Sequence, residues 1–386
     1  MKTRRICVAT GTRAEYGLLI PVMRAIARDP RLELSVMVTG MHLMREFGHT
    51  VKEISADGFK IAARVPMHTR EDTGAAMAKS IGKGIIGMTN ALQRVAPEML
   101  VVIADRGEAL AAAIAGTHMN IPIAHIHGGD VTTGATIDEP VRHAITRFAH
   151  IHFPATRKSA QRIVRMGEES WRIHVVGPLG IYAMTTEDFI QKDELCRELR
   201  LDSDRPILLV IQHPVTTEPM KAAEQMKETM DALVELGEQA VLIYPNADAG
   251  GRKMIKVIEK YEKYRFLRIF RNLPYLTFIS LMRISSAIVG NSSSAIVEAP
   301  LFGVPAVNIG IRQKGRERGG NVLDVPHKKD TIVRVMKRLL TDEDLVRRIR
   351  KAPNPFHVER QGASRIANVL AHTKINGRLL RKRLTY

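Results

Sequence analysis

The chain has 386 residues, 45% of them hydrophobic and 25% charged, a composition of folded domains that excludes a disordered or fibrous protein. Its two cysteines, Cys7 and Cys196, cannot build a disulfide framework and sit in no metal-ligand spacing. No run of about 18–20 apolar residues could span a membrane, and the four-residue apolar run after MKTRR is too short for a signal peptide, so a cytoplasmic protein is expected.

The 58 Lys+Arg against 40 Asp+Glu leave a net charge of +18. Residues 328–386 hold 16 Lys+Arg and 5 Asp+Glu, so +11 of this charge lies in the last 59 residues. A nucleic acid, an anionic membrane surface or an anionic metabolite are the partner classes that such a balance raises. Only Phe356 and Tyr386 supply aromatic rings there, whereas single-strand binders interleave stacking rings with charge. The stretch therefore reads as a solvated basic helical face.

In chain order, strand-length apolar runs alternate with helix-length amphipathic segments, the pattern of parallel α/β construction. Strands are predicted at 5–10, 34–39, 60–65, 99–104, 121–126, 151–154 and 173–176. The intervening helices fall at 14–27, 72–95, 108–116, 139–149 and 158–166. A polar segment over 185–204 shows no strand pattern. Alternation then restarts with strands at 207–212, 240–244, 266–269, 287–290 and 306–309, and helices at 220–236, 252–264, 275–284 and 293–302. Helices at 329–340, 342–350 and 361–371 follow. Two α/β blocks joined near 178–205 are expected, each a doubly wound sheet whose strands end at a shared cleft, the place where such sheets bind ligands.

Candidate functional residues cluster after those strand ends. The first strand leads into Gly11-Thr12-Arg13-Ala14-Glu15-Tyr16-Gly17, which lacks the GxGxxG fingerprint but offers backbone N–H groups and the Arg13 fork to an anion. The 99–104 strand leads into Asp105-Arg106-Gly107-Glu108, where Asp105 serves equally well as a helix cap or as a cleft residue. The next strand runs into His125-Ile126-His127-Gly128-Gly129-Asp130 and then Thr136-Ile137-Asp138-Glu139-Pro140-Val141-Arg142-His143. Strand alternation puts His125 and His127 on one side. A His/Asp cluster can hold a metal, but no HExxH-like spacing supports that, and acid–base chemistry is the better reading. In the second block the strand ends carry His213-Pro214-Val215-Thr216-Thr217-Glu218, Pro245-Asn246-Ala247-Asp248 and Asn291-Ser292-Ser293-Ser294, the last opening a helix as a phosphate cradle or as a plain cap. A basic loop, Gly310 to Arg318, follows the last strand.

Taken in order, GTRAEYG, DRGE, HIHGGD, IDEPVRHAIT, QHPVTTE, PNAD, GNSSSAIVEAP and IGIRQKGRERGGNVLDV resemble the UDP-N-acetylglucosamine 2-epimerase family, in particular its hydrolysing branch. The resemblance spans nearly the whole chain. It implies two Rossmann-like domains with the active site in the cleft between them, the glycosyltransferase-B-like arrangement. The expected division is 1–178 for the first domain, with a helical segment at 361–386 packing back on it, and 179–360 for the second, UDP-binding domain.

The implied reaction converts UDP-GlcNAc to N-acetylmannosamine and UDP. A base removes the C2 proton as UDP departs, giving a 2-acetamidoglucal, and water then adds with C2 protonated from the opposite face. By resemblance the catalytic candidates are Asp105, His127, Asp130, Asp138 and His213. The substrate-binding candidates are Arg13, Arg106, Asn246, Ser292, Ser293, Glu298 and Arg312, with the two serines and both outer arginines on the diphosphate and Glu298 on the ribose. No cofactor and no metal is implied. A UDP-sugar is the expected partner and a homodimer the expected assembly, while neither membrane nor nucleic acid is expected.

Two departures from the family pattern stand out. Many members carry a carboxylate where this chain has His127, and a glycine is frequent where it has Ala295. Members acting on UDP-2,4-diacetamido-trideoxyhexoses look similar in the His127 stretch, which makes such a sugar the alternative substrate. A non-hydrolysing 2-epimerase and a glycosyltransferase of the same fold are further enzyme alternatives. A basic nucleic-acid-binding protein is the alternative of a different class.

Overall fold

The computed structural model describes residues 3–134, 137–180, 189–356 and 361–386. Thr136 and part of the expected junction at 178–205 lie outside the described residues.

Among the described residues, the strands form two six-stranded sheets. The first has the order β3-β2-β1-β4-β5-β6, built from β1 (Arg4–Thr10), β2 (Leu32–Thr39), β3 (Ile61–Val65), β4 (Met99–Ile103), β5 (Ile123–Ile126) and β6 (Ile151–Phe153). The second has the order β12-β11-β10-β7-β8-β9, from β7 (Leu208–Ile211), β8 (Ala240–Ile243), β9 (Leu267–Phe270), β10 (Ala287–Gly290), β11 (Ala306–Ile309) and β12 (Val322–Val325). All pairings are parallel. Parallel sheets are covered by helices on both faces, which is why strands such as β4 (MLVVI) and β7 (LLVI) are uninterrupted apolar runs, buried at every position.

Packing tightens where small residues meet. Helix Gly74–Val95 crosses helix Gly107–His118 at Gly84, where a Cβ would come within 3.1 Å of the Ala111 methyl. Helix Gly362–His372 sends Ala363, Ile366 and Leu370 into the core of the first sheet beside Ile6 and Ile26.

Several expectations need correction. Residues 173–176 form no strand; a single parallel bridge joins Ile173 to His152. The His174 and Val176 amides do donate to the carbonyls of His152 and Pro154, but Pro154 has no N–H to return the intervening bond. The predicted helix at 293–302 breaks into a four-residue turn, Ser294–Val297, and a 3-10 turn, Ala299–Phe302, because Pro300 cannot extend the hydrogen-bond ladder. The polar 185–204 segment contains helix Lys192–Leu199, which buries Leu195, Cys196 and Leu199. Strand β12 and the short helix Val51–Ala56 were not anticipated, and the helical segment expected over 361–386 is two helices, Gly362–His372 and Gly377–Leu380.

Candidate active site

The carboxyl ends of both sheets face each other across a cavity of about 240 Å³. Ten of the sequence candidates line it: Arg13, Asp105, Arg106, Asp138, His213, Asn246, Ser292, Ser293, Glu298 and Arg312.

The β1 side begins with helix Arg13–Arg28, whose start is fixed by a capping box. Thr12 accepts from the Glu15 amide, while Glu15 Oε2 accepts from the Gly11 and Thr12 amides at 2.9 and 3.2 Å. Gly17 lets the opposite half approach, since a Cβ there would lie 2.3 Å from the Tyr275 ring. The Arg13 guanidinium lies 4.8 Å from the centre of the Phe278 ring, and burial pushes its pKa down to about 10. Such a partly desolvated cation, stacked rather than salt-bridged, remains available to an anion.

The loop after β4 turns through Ala104 at φ 60°, the left-handed region, and delivers Asp105 and Arg106 to the cavity. Asp105 is fixed by Arg142, which is 1% exposed and donates Nε to Oδ2 at 3.0 Å and Nη2 to the same oxygen. The remaining Arg142 protons go to the Asp130 carbonyl (3.0 Å), Glu139 Oε2 (2.7 Å) and the Thr132 hydroxyl (3.2 Å). Burial works to raise the pKa of Asp105, but Arg142, backed by Arg316 and Arg312, outweighs it and holds the carboxylate below its ordinary value.

Asp138, the first residue of helix Asp138–Phe148, behaves oppositely. Burial, then the charge of Asp105, push its pKa up to about 6 against the pull of Arg312, whose Nη2 lies 3.3 Å from Oδ2. One cavity thus holds two carboxyl groups whose surroundings drive their pKa values apart, a recurring arrangement in acid–base enzymes. A second pair behaves alike: burial and then Glu108 raise Glu15 to about 8, while Arg106 and His68 overcome burial to hold Glu108 low.

From the second sheet, His213 accepts the Asn246 amide at Nδ1 (3.2 Å), so its proton sits on Nε2. Burial, and then Arg312 and Arg106, hold its pKa well below the usual value, so the ring is neutral. Asn246 donates to Asp248 Oδ2 at 2.6 Å, and Asp248 Oδ1 receives Arg106 Nη2 at 3.1 Å, which carries the network across the cleft. Ser292 and Ser294 hydroxyls lie 2.6 Å apart. Burial raises Glu298 to about 7, opposed by Arg316. The buried Nε of Arg312 has no hydrogen-bond partner among the described residues, a donor left over for an anion.

His127 and Asp130 lie off the cavity lining. His127 also sits at φ 60°, and its Nε2 accepts the Leu179 amide at 3.2 Å, pinning the chain that leaves the first sheet. Asp130 Oδ1 accepts the Ser159 hydroxyl at 2.8 Å. The sequence reading missed Arg142, Glu15 and Asp248. Arg142 was within reach, four residues after Asp138 and therefore on the same helical face.

A family model described as UDP-N-acetylglucosamine 2-epimerase matches residues 24–371. The UDP-N,N'-diacetylbacillosamine 2-epimerase (hydrolyzing) of Legionella pneumophila is 39% identical over 87% of this chain and 89% of that protein. The GDP/UDP-N,N'-diacetylbacillosamine 2-epimerase (hydrolyzing) of Campylobacter jejuni is 35% identical over 84% and 85%. The UDP-GlcNAc 2-epimerase of Neisseria meningitidis, solved bound to UDP-GlcNAc, has the same fold, with a TM-score of 0.79 at 19% identity over 96% of this chain and 100% of that one. The two sheets, the cleft between them and these matches place the chain in the UDP-N-acetylglucosamine 2-epimerase family.

Proposed function

We propose that the chain is a hydrolysing 2-epimerase of a UDP-linked 2-acetamido sugar, and that its substrate is a UDP-2,4-diacetamido-trideoxyhexose in preference to UDP-GlcNAc. The reaction type is supported by the split pair Asp105 and Asp138, one held ionised and the other raised to about 6 in the same cavity. The substrate preference reverses the order expected from the sequence, and it rests on the two diacetylbacillosamine epimerases at 39% and 35% identity.

In this reading Asp105 takes the C2 proton while the C1–O bond breaks, a C1=C2 bond forms and UDP leaves. Water then adds its oxygen to C1 and loses a proton to solvent while Asp138 protonates C2 from the opposite face, releasing the 2-epimerised sugar. Exchange with solvent then takes the proton from Asp105 and returns one to Asp138. Substrate itself would prepare Asp138: a diphosphate engaging Arg312 removes the charge that lowers the carboxyl, so its pKa rises further on binding. Arg13, Arg312, Ser292 and Ser293 would hold the diphosphate, with the neutral His213 donating Nε2–H as leaving-group charge grows. Glu298 would take the ribose, and Arg106 and Asn246 the sugar hydroxyls. The nucleotide then belongs to the half carrying the second sheet, and proton transfer to the half carrying the first.

The test is proton NMR in D2O with each UDP-sugar in turn. Free epimerised sugar deuterated at C2, together with UDP, is expected from both, with the higher kcat/KM for the diacetamido sugar. Asp105→Asn should stop all turnover, whereas Asp138→Asn should release the glucal. A UDP-linked epimer without free sugar would move the chain to the non-hydrolysing branch, and product without deuterium at C2 would refute the mechanism.

A further inference from the structure

The reaction leaves the basic residues near position 380 unused, and the structure gathers them into a surface. Residues 374–386 run along the first sheet's half and contain five Lys+Arg and no acid. Arg172, 1% exposed, donates to the carbonyls of Leu379 (2.8 Å) and Arg378 (2.9 Å), and the Lys382 ammonium donates to the Arg147 carbonyl (2.6 Å) and Glu168 (2.8 Å). With Leu379 in the core, the segment is fastened by its backbone while Lys374, Arg378, Arg381 and Arg383 stay exposed.

Apolar side chains share that surface. Among the described residues, six of the ten exposed large hydrophobics lie here: Val164, Trp171, Ile375, Leu380, Leu384 and Tyr386, from 36% to 85% exposed. The C-terminal segment meets the other two, because Trp171 stacks with Arg378 at 4.6 Å, and Tyr386 and Leu384 cover Gly167, whose amide bonds the Val164 carbonyl. The nearby acids are spent: Glu168 is 1% exposed and bound by Arg147 and Lys382, and Glu169 pairs with Arg172. The patch also lies away from the cleft. Helix Arg157–Arg165 returns the chain to the amino ends of the strands, and Arg172 reaches the His150 carbonyl just before β6.

We propose that this patch docks the protein on an anionic lipid surface. Arginines and lysines interleaved with leucine, tryptophan and tyrosine match a headgroup–acyl boundary, where cations meet anionic lipids and apolar groups enter the interface. A nucleic acid fits less well. Two guanidinium groups already stack on the Trp171 ring, Arg172 at 4.3 Å and Arg378 at 4.6 Å, so a base would have to displace one of them or compete with them, and aliphatic side chains offer nothing to a phosphate backbone. Docking needs no spanning helix, and among the described residues none is long and apolar enough to cross a membrane. Sequence order alone did not bring Val164 and Trp171 to residues 375–386, so no membrane partner was expected from it.

Trp171, the chain's one tryptophan, reports on the contact. Full-length protein is sedimented with phosphatidylcholine vesicles, with and without phosphatidylglycerol, at physiological salt. Binding to the anionic vesicles alone is expected, with a blue shift of Trp171 emission and quenching by brominated lipid. Each exposed cation contributes about fivefold to partitioning, so Arg381→Ala with Arg383→Ala should weaken it roughly 25-fold, with turnover and melting temperature unchanged. Leu384→Ser should weaken vesicle binding while leaving retention on a soluble polyanion untouched. The proposal is overturned by absence of sedimentation, by sedimentation without a Trp171 response, by binding indifferent to these substitutions, or by single-stranded RNA binding tighter than vesicles at the same salt.

Discussion

Replacing Arg142 with alanine separates positioning from catalysis in the cleft. The side chain makes five hydrogen bonds, two to Asp105, one to Glu139, one to the Asp130 carbonyl and one to Thr132. Its removal takes away the cation shared by Asp105 and Glu139, leaving Asp105 only the charges of Arg316 and Arg312 and Glu139 its contact with His143. Breaking a buried pair from one side costs about 3–5 kcal/mol. The lower end applies, because the Asp105 and Glu139 side chains keep 17% and 24% of their surface in contact with solvent. A loss of about 3 kcal/mol is roughly 6–12 °C in the melting temperature of a unit of this size.

The pH dependence identifies the cause. In the wild type Asp105 is held below its ordinary pKa, so its contribution is present above that value and lost on acidification. Without Arg142 burial dominates, the folded-state pKa rises, and protonation relieves the strain. The calorimetric gap between Arg142→Ala and wild type should therefore be widest near neutral pH and narrower at about pH 5. It should also shrink by about half in an Asp105→Asn background, with Glu139 accounting for the rest. A gap of equal size at both pH values and in both backgrounds would refute the electrostatic account and leave Arg142 as mere packing.

Asp138→Asn should cut kcat by about 10²–10⁴ without weakening UDP, and the wild-type kcat/KM profile should bend near pH 6, the value to which Asp138 is raised. Because that folded pKa is raised, its stabilising contribution is full below the ordinary value and lost as pH climbs past about 6, so Asp138→Asn should gain stability over wild type above that point, read by calorimetry. Arg312→Ala should weaken UDP about 10- to 150-fold by titration calorimetry, the loss of one charge-assisted contact; unchanged affinity would contradict its place on the diphosphate. Glu15, raised to about 8, is neutral at pH 7. Glu15→Gln should melt with wild type there and outlast it above pH 8, whereas Glu15→Ala should lose about 1 kcal/mol of helix capping. Asp72 accepts the Gly250 and Lys253 amides of the opposite half at 2.8 and 3.1 Å; Asp72→Ala should enlarge the radius of gyration in X-ray scattering and raise KM several-fold, with kcat little changed.

The sheets were legible because parallel strands are buried on both faces, so β4, β7 and β8 read as bare apolar runs between amphipathic helices. The failures have local causes. Residues 173–176 carry strand-like side chains, but the partner that would complete their ladder is a proline, and no pattern within 173–176 reveals what Pro154 cannot donate. Strand β12 is an edge strand with partly exposed side chains, so VLDV gave too weak a signal. At the site, the family resemblance, laid over loops that follow strand ends, named ten residues that line the cavity, yet it also named His127, which does not. Period-two alternation set it beside His125 on one side, but the backbone leaves the strand conformation at His127, and the ring turns to the Leu179 amide instead. Arg142 was passed over, although helical spacing set it on the face of Asp138. A buried arginine is improbable from composition, and only the convergence of Asp105, Glu139 and a carbonyl makes one tolerable.

The charges that tune the cleft come from both halves, and this ties proton transfer to closure. Asp138 stands on the first sheet's half, and the cation that restrains its pKa, Arg312, stands on the second. Arg106 belongs to the first half, and Asp248, one of its anions, to the second. Opening the cleft would rehydrate Asp138 and remove its opposite charge together, returning its carboxyl toward the ordinary value. Asp105 is the exception, since Arg142 lies on its own half and would stay with it. An open molecule therefore keeps one carboxylate ionised and in register, while the second acquires its raised pKa only when water is excluded. In the proposed mechanism the group that must give up a proton late is thus prepared by closure over the substrate, and the group that must accept one early is prepared chiefly by Arg142 of its own half, with Arg316 and Arg312 adding to it on closure.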